Sequence, residues 1–437
     1  MSLCGGRAAY GCGLPRSYGK GTFMLHLRIR GIGLLLLPAL LACGAAAADT
    51  LSVSEAVRRA REVHPETQRA AAAISAARGE FWTALSPPPP AAGVEYELIP
   101  PGEGLEEYGE RTFSLSQELE FPLKTVWRGR QAGRAVARAR AEAQGMMLEL
   151  EAAVRQAHLE AWAADERVRI LEESAATAET YAEQIGRMAE AGETSPLEAR
   201  RAQVEALQEG QALERARRTQ AAARNRLSHW TGIELDGQAL AAPPEAAAPE
   251  TLAVPASNPE LQALQADLEA AGHGLTLAAL GWLPDLAVGY SRKRVPAEPD
   301  PDFWGLEAGV TLPLWFWLGG RGEIQTAKAQ KKAAAATLEA QRLEVLTEWE
   351  NQRQNFLSNR RQVQSYRESI LPLAREAYDL AVRSYDLGEI DYLEVLHAER
   401  SLLETRLEYL DSVVETQSGR IALDRLAGVS LADPDHE

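Results

Sequence analysis

The sequence has little cysteine, and this shortage limits what can hold the fold together. The chain of 437 residues has three cysteines, and Cys4 and Cys12 precede Met24, the predicted start of translation. A chain that starts there keeps at most Cys43, so it can form neither an internal disulfide nor a cysteine-based metal site. Its stability must therefore come from packing.

Aromatic residues and basic patches are also scarce. Aromatics make up 6% of the chain, while Ala, Leu, Glu, Gln and Arg dominate, as is typical of long helices and coiled coils rather than of compact enzymes. The net charge of −16, with no basic run beyond the N-terminus, argues against a phosphate backbone as ligand. We therefore expect no nucleic-acid partner.

Catalytic motifs are missing as well. His64, His158, His229 and His273 are scattered, and neither His-Glu-x-x-His nor Gly-x-Ser-x-Gly occurs. The adjacent Met146 and Met147 are interpreted as packing on an Ala-rich helix rather than as a copper site. The sequence thus predicts no catalytic residue, no metal site and no cofactor, and the protein is not expected to be an enzyme.

Residues 1–48 are interpreted as an N-terminal extension followed by a signal peptide. From Met24, the basic "MLHLRIR" precedes the apolar "GIGLLLLPALL", which is shorter than the roughly 20 residues of a membrane-spanning helix. Two processing routes stay open: lipid attachment at Cys43, within "LLAC", or cleavage after Ala48. Either route predicts an exported protein. The segment contains five basic residues and no acidic ones, so its removal changes the net charge from −16 to −21.

The remaining chain contains two copies of one unit. "GETSPLEA" from Gly192 matches "GEIDYLEV" from Gly388, and the X-Pro-Glu at His64 matches the one at Asn258. We assign residues 49–236 to the first repeat, 237–256 to a Pro/Ala-rich linker, 257–431 to the second repeat and 432–437 to a tail. Each repeat is predicted to run helix, two strands, long helix, tip, helix.

The predicted strands alternate apolar and polar residues at a length near the ~10 residues of a transmembrane strand. A soluble sandwich would give the same alternation, but the export signal and the terminal aromatics at Trp304 and 315–317 favour a membrane barrel. Four strands cannot close a barrel, and open edges are not tolerated in lipid, so several chains must share one. The apolar positions are Val94, Tyr96, Leu98, Phe113, Leu115, Leu119, Phe121, Leu286, Val288, Tyr290, Leu306, Ala308, Val310 and Leu312.

Long helices are predicted to meet at tips that begin with glycine. Between about Arg321 and Leu387 the apolar residues follow heptad-like steps, and Pro372 should kink or break this helix. Gly388 can close the helix in a left-handed conformation and Asp391 can cap the next one, with Glu394 completing a capping box. Gly192, Ser195, Pro196 and Glu198 repeat this device in the first copy.

This duplicated plan resembles the TolC family of outer-membrane efflux proteins over nearly the whole mature chain. "SYDLGEIDYLEVLHAERSLL" from Ser384 resembles that family's second tip motif. The resemblance implies a mainly α protein that forms a homotrimer, with an α-helical barrel in the periplasm and a twelve-stranded β-barrel in outer-membrane lipid, four strands from each chain. It also implies two partners, a periplasmic adaptor (membrane fusion) protein and an inner-membrane pump of the RND or ABC type.

Gate residues follow from the same resemblance. Glu394 occupies the acidic gate position and His397 stands where the family often has a second acid, with Asp391 and Glu198 beside them at the tips. A threefold ring of Glu394 carboxylates would attract cations. Capping alone also explains Glu394 and Glu198, and His397 as a helix residue without a role remains the alternative.

The cargo is left open by the sequence. "SLSQELEFPLKTVWRGRQAG" from Ser114 resembles the heavy-metal branch of the family. A drug-efflux duct and a type I secretion duct are alternatives within the family. A periplasmic coiled-coil scaffold without a pore is an alternative outside it.

Overall fold

The computed structural model describes residues 50–235, 237–244, 257–300 and 302–430. Over these residues the chain is mainly helical with one small antiparallel sheet, which confirms the predicted fold class. The signal segment 1–48 with Cys43, linker residues 245–256 and the tail 432–437 lie outside the described residues. The predictions made for them stay predictions.

The elements follow the same order in both halves of the chain. An additional short helix begins the first half, and a π-helical turn interrupts the second. The first half contains α1 (Val53–Val63), α2 (Pro65–Leu85), β1 (Ala91–Glu97), β2 (Glu110–Leu119), α3 (Pro122–Glu190) and α4 (Pro196–Thr231). The second half contains α5 (Pro259–Ala279), β3 (Asp285–Arg294), β4 (Asp302–Thr311), α6 (Phe316–Ser365), the π-turn (Tyr366–Ile370), α7 (Leu371–Asp386) and α8 (Tyr392–Ala427).

Helix α3 is far longer than a compact domain requires. Its 69 residues correspond to roughly 100 Å at ~1.5 Å per residue. It begins at Pro122, whose fixed φ suits a first helical position, and it continues without interruption to Glu190. Helices α4 and α8 end alike, because Gly232 and Gly428 both adopt the left-handed conformation after the last helical turn.

The second long helix is interrupted where the sequence predicts a break. Between α6 and α7 lies the π-helical turn Tyr366–Ile370, closed by the Leu371 N–H, which donates to the Tyr366 carbonyl. Pro372 has no N–H to donate to the preceding turn, and the wider π-turn accommodates this loss without ending the helix.

The four strands form one sheet in the order β1-β2-β3-β4, and no other strand in the described ranges pairs with the edges β1 and β4. In this register, Leu115 pairs with Tyr290, which pairs with Leu306, so the apolar residues share one face. Three residues predicted within strands lie outside them: Leu98, Phe121 and Leu312. Leu98 has a φ of 56°. Phe121 and Leu312 each precede a proline, which cannot donate to a strand ladder.

The helices pack through small residues. Buried alanines recur along α3, and at the tips the two hairpins α3–α4 and α7–α8 pack against each other in one apolar cluster. The linker start also packs, since Leu51 and Leu240 pair in a short parallel bridge. In the described part of the chain, no helix combines the length and apolar character that crossing a membrane needs.

Candidate functional site

The two hairpin tips use the same turn. Gly192 and Gly388 have φ values of 78° and 73°, in the left-handed region that favours glycine. In both tips the N–H of the next residue, Glu193 or Glu389, donates to the carbonyl five residues back at 2.9 Å. This is the Schellman geometry that satisfies the last carbonyls of a helix. A Cβ at either glycine would meet no atom within 4 Å, so the backbone conformation is what requires glycine there.

After the first tip, α4 begins with a serine cap. The Ser195 hydroxyl accepts from the Leu197 N–H at 3.2 Å, and Pro196 occupies the first helical position. The Glu198 carboxylate accepts a hydrogen bond from the Thr194 hydroxyl. Glu198 is thus half-buried beside its own turn.

After the second tip, α8 begins with an aspartate cap. The Asp391 carboxylate accepts from the Glu394 N–H at 3.3 Å. Among the described hydrogen bonds, the Glu394 side chain does not return one to Asp391, so only half of the predicted capping box is present. Glu394 and His397 are exposed and lie three residues apart, on the face of α8 opposite the buried Tyr392 and Val395. In a single chain both predicted gate side chains therefore point away from the hairpin core.

The tips lie side by side because one apolar cluster joins the two hairpins. The first hairpin contributes Ala182, Ile185, Ala199 and Ala202, and the second contributes Tyr392, Val395 and Leu396. Several tyrosines and small residues surround this cluster, including Tyr181, Tyr378 and Tyr385. Movement of α8 relative to the first hairpin would have to break these contacts.

A group of carboxylates lies next to this cluster, and the sequence analysis did not single it out. Glu205 on α4 is buried and bonds Arg400 on α8, with Arg400 Nε and Glu205 Oε1 2.8 Å apart. Glu209 and Glu399 each have one buried carboxylate oxygen without a hydrogen-bond partner. The buried Tyr392 hydroxyl also lacks a partner. Three carboxyl groups and one guanidinium therefore share the interface between the hairpins.

This arrangement alters the acidity of the group. Burial, together with the neighbouring charges of Glu209 and Glu205, raises the pKa of Glu399 to about 7, and Arg400 opposes the shift. Burial also raises the pKa of Glu209, and it raises the pKa of Tyr392 to about 12. A proton is therefore retained in this interface close to neutral pH. Within the described ranges, no three His, Cys, Asp or Glu side chains are arranged to hold a metal ion.

Helical spacing could have revealed Glu399. It follows Tyr392 by seven residues and Val395 by four, so it lies on the buried face of α8. A carboxylate on such a face needs a partner or a proton. The tip motif contains Glu399, but its likeness to the family points only to Glu394 and His397 as gate residues.

Comparison with known proteins gives a family and a relative. Residues 253–429, most of the second repeat, match the family model described as outer membrane efflux protein. The chain is 26% identical over 324 residues to the cobalt-zinc-cadmium resistance protein CzcC of Cupriavidus metallidurans, covering 72% of this chain and 77% of that protein.

Solved structures share the fold. The outer membrane protein VceC of Vibrio cholerae superposes with a TM-score of 0.73 at 18% identity, covering 86% of this chain and 96% of that one. CusC, whose structures are described in terms of folding and transmembrane channel formation, gives a TM-score of 0.72 at 16% identity, covering 86% and 92%. A membrane protein from Pseudomonas aeruginosa gives 0.74 at 19% identity, covering 86% and 90%.

Proposed function

We propose that the chain is a member of the outer membrane efflux protein family, whose model matches residues 253–429, and that three copies form the exit duct of a tripartite efflux system. Members of this family are outer-membrane channel proteins of Gram-negative bacteria and not enzymes. In the proposed system the duct receives cargo from a periplasmic adaptor and an inner-membrane pump of the RND or ABC type. The open edges of the single chain are the observation that carries the proposal.

In the part of the chain that the structure describes, the helical layer ends in two unpartnered apolar faces. Along the hairpins the neighbours run α4, α3, α8, α7, so α4 and α7 form the two sides. Leu373 and Leu380 on α7 and Leu387 directly after it recur at steps of seven and are 64%, 57% and 74% exposed. On α4, Val204 and Leu207 are 53% and 71% exposed. A second copy of the chain would bury both faces, since heptad spacing suits packing between adjacent helices.

The sheet, like the helical layer, has two edges and an apolar face that further copies of the chain and lipid could cover. Its edges β1 and β4 are unpaired among the described residues, and its apolar face is exposed. Pairing β4 of one copy with β1 of the next would close the ladder, and three copies give twelve strands, an even number within the range of membrane barrels. The opposite face carries Glu95, Glu118 and Glu307 among small and polar residues, which suits a water-filled and cation-attracting interior.

Glu394 is proposed to form the narrow acidic ring at the periplasmic end, with Asp391, His397 and Glu198 around it. Three Glu394 carboxylates on a threefold axis would favour cations over anions. We expect Glu394→Gln to reduce the cation selectivity of single channels in planar bilayers. Glu193→Gln, at the exposed tip of the first hairpin, should leave it unchanged. Unaltered selectivity in the Glu394 variant would refute the ring.

Divalent metal cations are the proposed cargo. The support is the likeness to a protein named for cobalt, zinc and cadmium resistance, together with the heavy-metal pattern that begins at Ser114. A deletion strain should become sensitive to Co²⁺, Zn²⁺ and Cd²⁺ and recover with the plasmid-borne chain. Sensitivity to hydrophobic drugs and dyes instead would favour a drug-efflux duct. Loss of a secreted protein without either sensitivity would favour a type I secretion duct.

A further inference from the structure

A cluster of arginines lies at one end of the apolar face of the sheet. Arg111 on β2 and Arg294 on β3 are paired in the register, and Arg294 also pairs with Asp302 on β4. Arg292 lies two residues from Arg294, so the alternation of the strand places it on the same face. All three lie at the end of the sheet that carries the strand-connecting loops, away from the helices. They also lie on the two central strands, so closure of the sheet with another copy would not cover them.

The arginines are only partly neutralised. The Arg292 side chain is 61% exposed and contacts Asp302 at 3.2 Å. The Arg111 guanidinium lies 5.4 Å from the centre of the Tyr108 ring. The connecting loops beyond the strand ends are acidic, with Glu103, Glu106, Glu107, Glu298 and Asp300. The apolar residues of this face form a band across the four strands. The three arginines therefore form a narrow layer between this apolar band and the carboxylates of the loops.

The opposite end of the same apolar face is different. Near the helices, the exposed Trp282, Trp315 and Trp317 border the band. Indole rings are typical of the boundary between hydrocarbon and headgroups. Arginine at a lipid-facing boundary adds a planar cation that can form paired hydrogen bonds to phosphate. Trp304 pairs with Arg292 and is 71% exposed, so the outer boundary carries an indole ring as well, and the three arginines are what distinguish it.

We propose that Arg111, Arg292 and Arg294 form a binding site for the phosphate groups of anionic lipids in the leaflet that faces the outside. This inference rests on the proposed membrane barrel, because that barrel turns the apolar face toward lipid. The apolar band contacts the acyl chains, which brings the headgroups to the height of the arginines. Tyr108 and Tyr96, whose rings lie 5.5 Å apart, border the site at the same end.

Lys293 provides a matched control. It lies between Arg292 and Arg294 in the sequence but on the polar face of the sheet, where it pairs with Glu110. Lys293→Gln therefore removes one positive charge at the same height on the opposite side. A site for lipid phosphate requires Arg292 and Arg294 and not Lys293.

The test compares lipid binding to the purified full chain by native mass spectrometry. Phosphatidylglycerol should bind more tightly than phosphatidylcholine, and Arg292→Gln with Arg294→Gln should reduce that preference about tenfold. Lys293→Gln should retain it, and millimolar inorganic phosphate should not abolish it. An unchanged preference in the double variant, an equal loss in Lys293→Gln, or complete competition by inorganic phosphate would each overturn the proposal.

Channel conductance separates this inference from the proposed function. The double arginine variant should still insert in planar bilayers and conduct like the unaltered chain. A variant that conducts normally but keeps its lipid preference refutes only the lipid site. An unaltered chain that neither inserts nor conducts refutes the duct and, with it, the lipid-facing orientation on which the site depends.

Discussion

The two hairpins have the same tip but different bodies. Both tips have a left-handed glycine and a polar cap three residues later, yet α3 runs unbroken for 69 residues while its counterpart is divided by a π-turn before Pro372. With Gly192 aligned to Gly388, the first hairpin has Gln203 where the second has the half-buried Glu399. The comparison indicates that duplication preserved the turn at the tip, while the second hairpin differs by the π-turn before Pro372 and by the titratable side chain of Glu399.

A proline placed in the first hairpin, or removed from the second, should have the largest effect on the stability of the hairpins. Ala176, an exposed residue within α3, is the counterpart of Pro372. Ala176→Pro should destabilise the first hairpin by about 3 kcal/mol, because α3 has no π-turn to absorb the lost hydrogen bond. Hydrogen exchange should accelerate around residues 172–176. In Pro372→Ala it should slow around 366–371, and equal exchange in both variants and the parent would show that the break does not distinguish the hairpins.

The half-buried carboxyl of Glu399 predicts a pH dependence that comes mainly from the second hairpin. Because the pKa of Glu399 is raised to about 7 in the fold, its contribution to stability is fully present below its ordinary pKa and is lost as pH rises through about 7. The raised pKa of Glu209 acts in the same direction. Exchange at the start of α8, corrected for the intrinsic rate, should therefore be less protected at pH 8 than at pH 6.

Glu399→Gln gives the second hairpin the residue of the first. It should remove most of this pH dependence and keep α8 protected at pH 8. Glu394→Gln, on the exposed face of the same helix, serves as the control and should retain the dependence. If the Glu399 variant responds to pH as the parent does, the proton is held elsewhere.

The tip glycines should have smaller and equal effects. Gly192→Ala and Gly388→Ala should each cost roughly 1–2 kcal/mol, since both residues are left-handed and neither replacement meets a neighbour. Gly186→Ala, within α3, also meets no neighbour and should instead stabilise by about 0.5–1 kcal/mol. Urea unfolding of the three variants measures these differences. A large inequality between the two tips would show that their common geometry does not reflect a common energetic role.

The sequence predicted what short-range chemistry determines. Glycine followed by a capping residue is enough to predict the tips, alternation predicts the four strands, and a proline in a heptad pattern predicts the break at Pro372. The heptad stripe did not reveal which of its members face inward. Trp349 and Phe356 are buried within the chain, whereas Leu373 and Leu380 are exposed. That division depends on which helices become neighbours, as does the burial of Glu399 against Glu205 and Glu209.

The number of copies in the complex extracted from outer membranes tests the central proposal most directly. Native mass spectrometry of the detergent-solubilised chain should give a mass of three copies, because three chains pair both sheet edges and cover both unpartnered helix faces. A stable single copy would contradict the shared barrel and favour the scaffold without a pore.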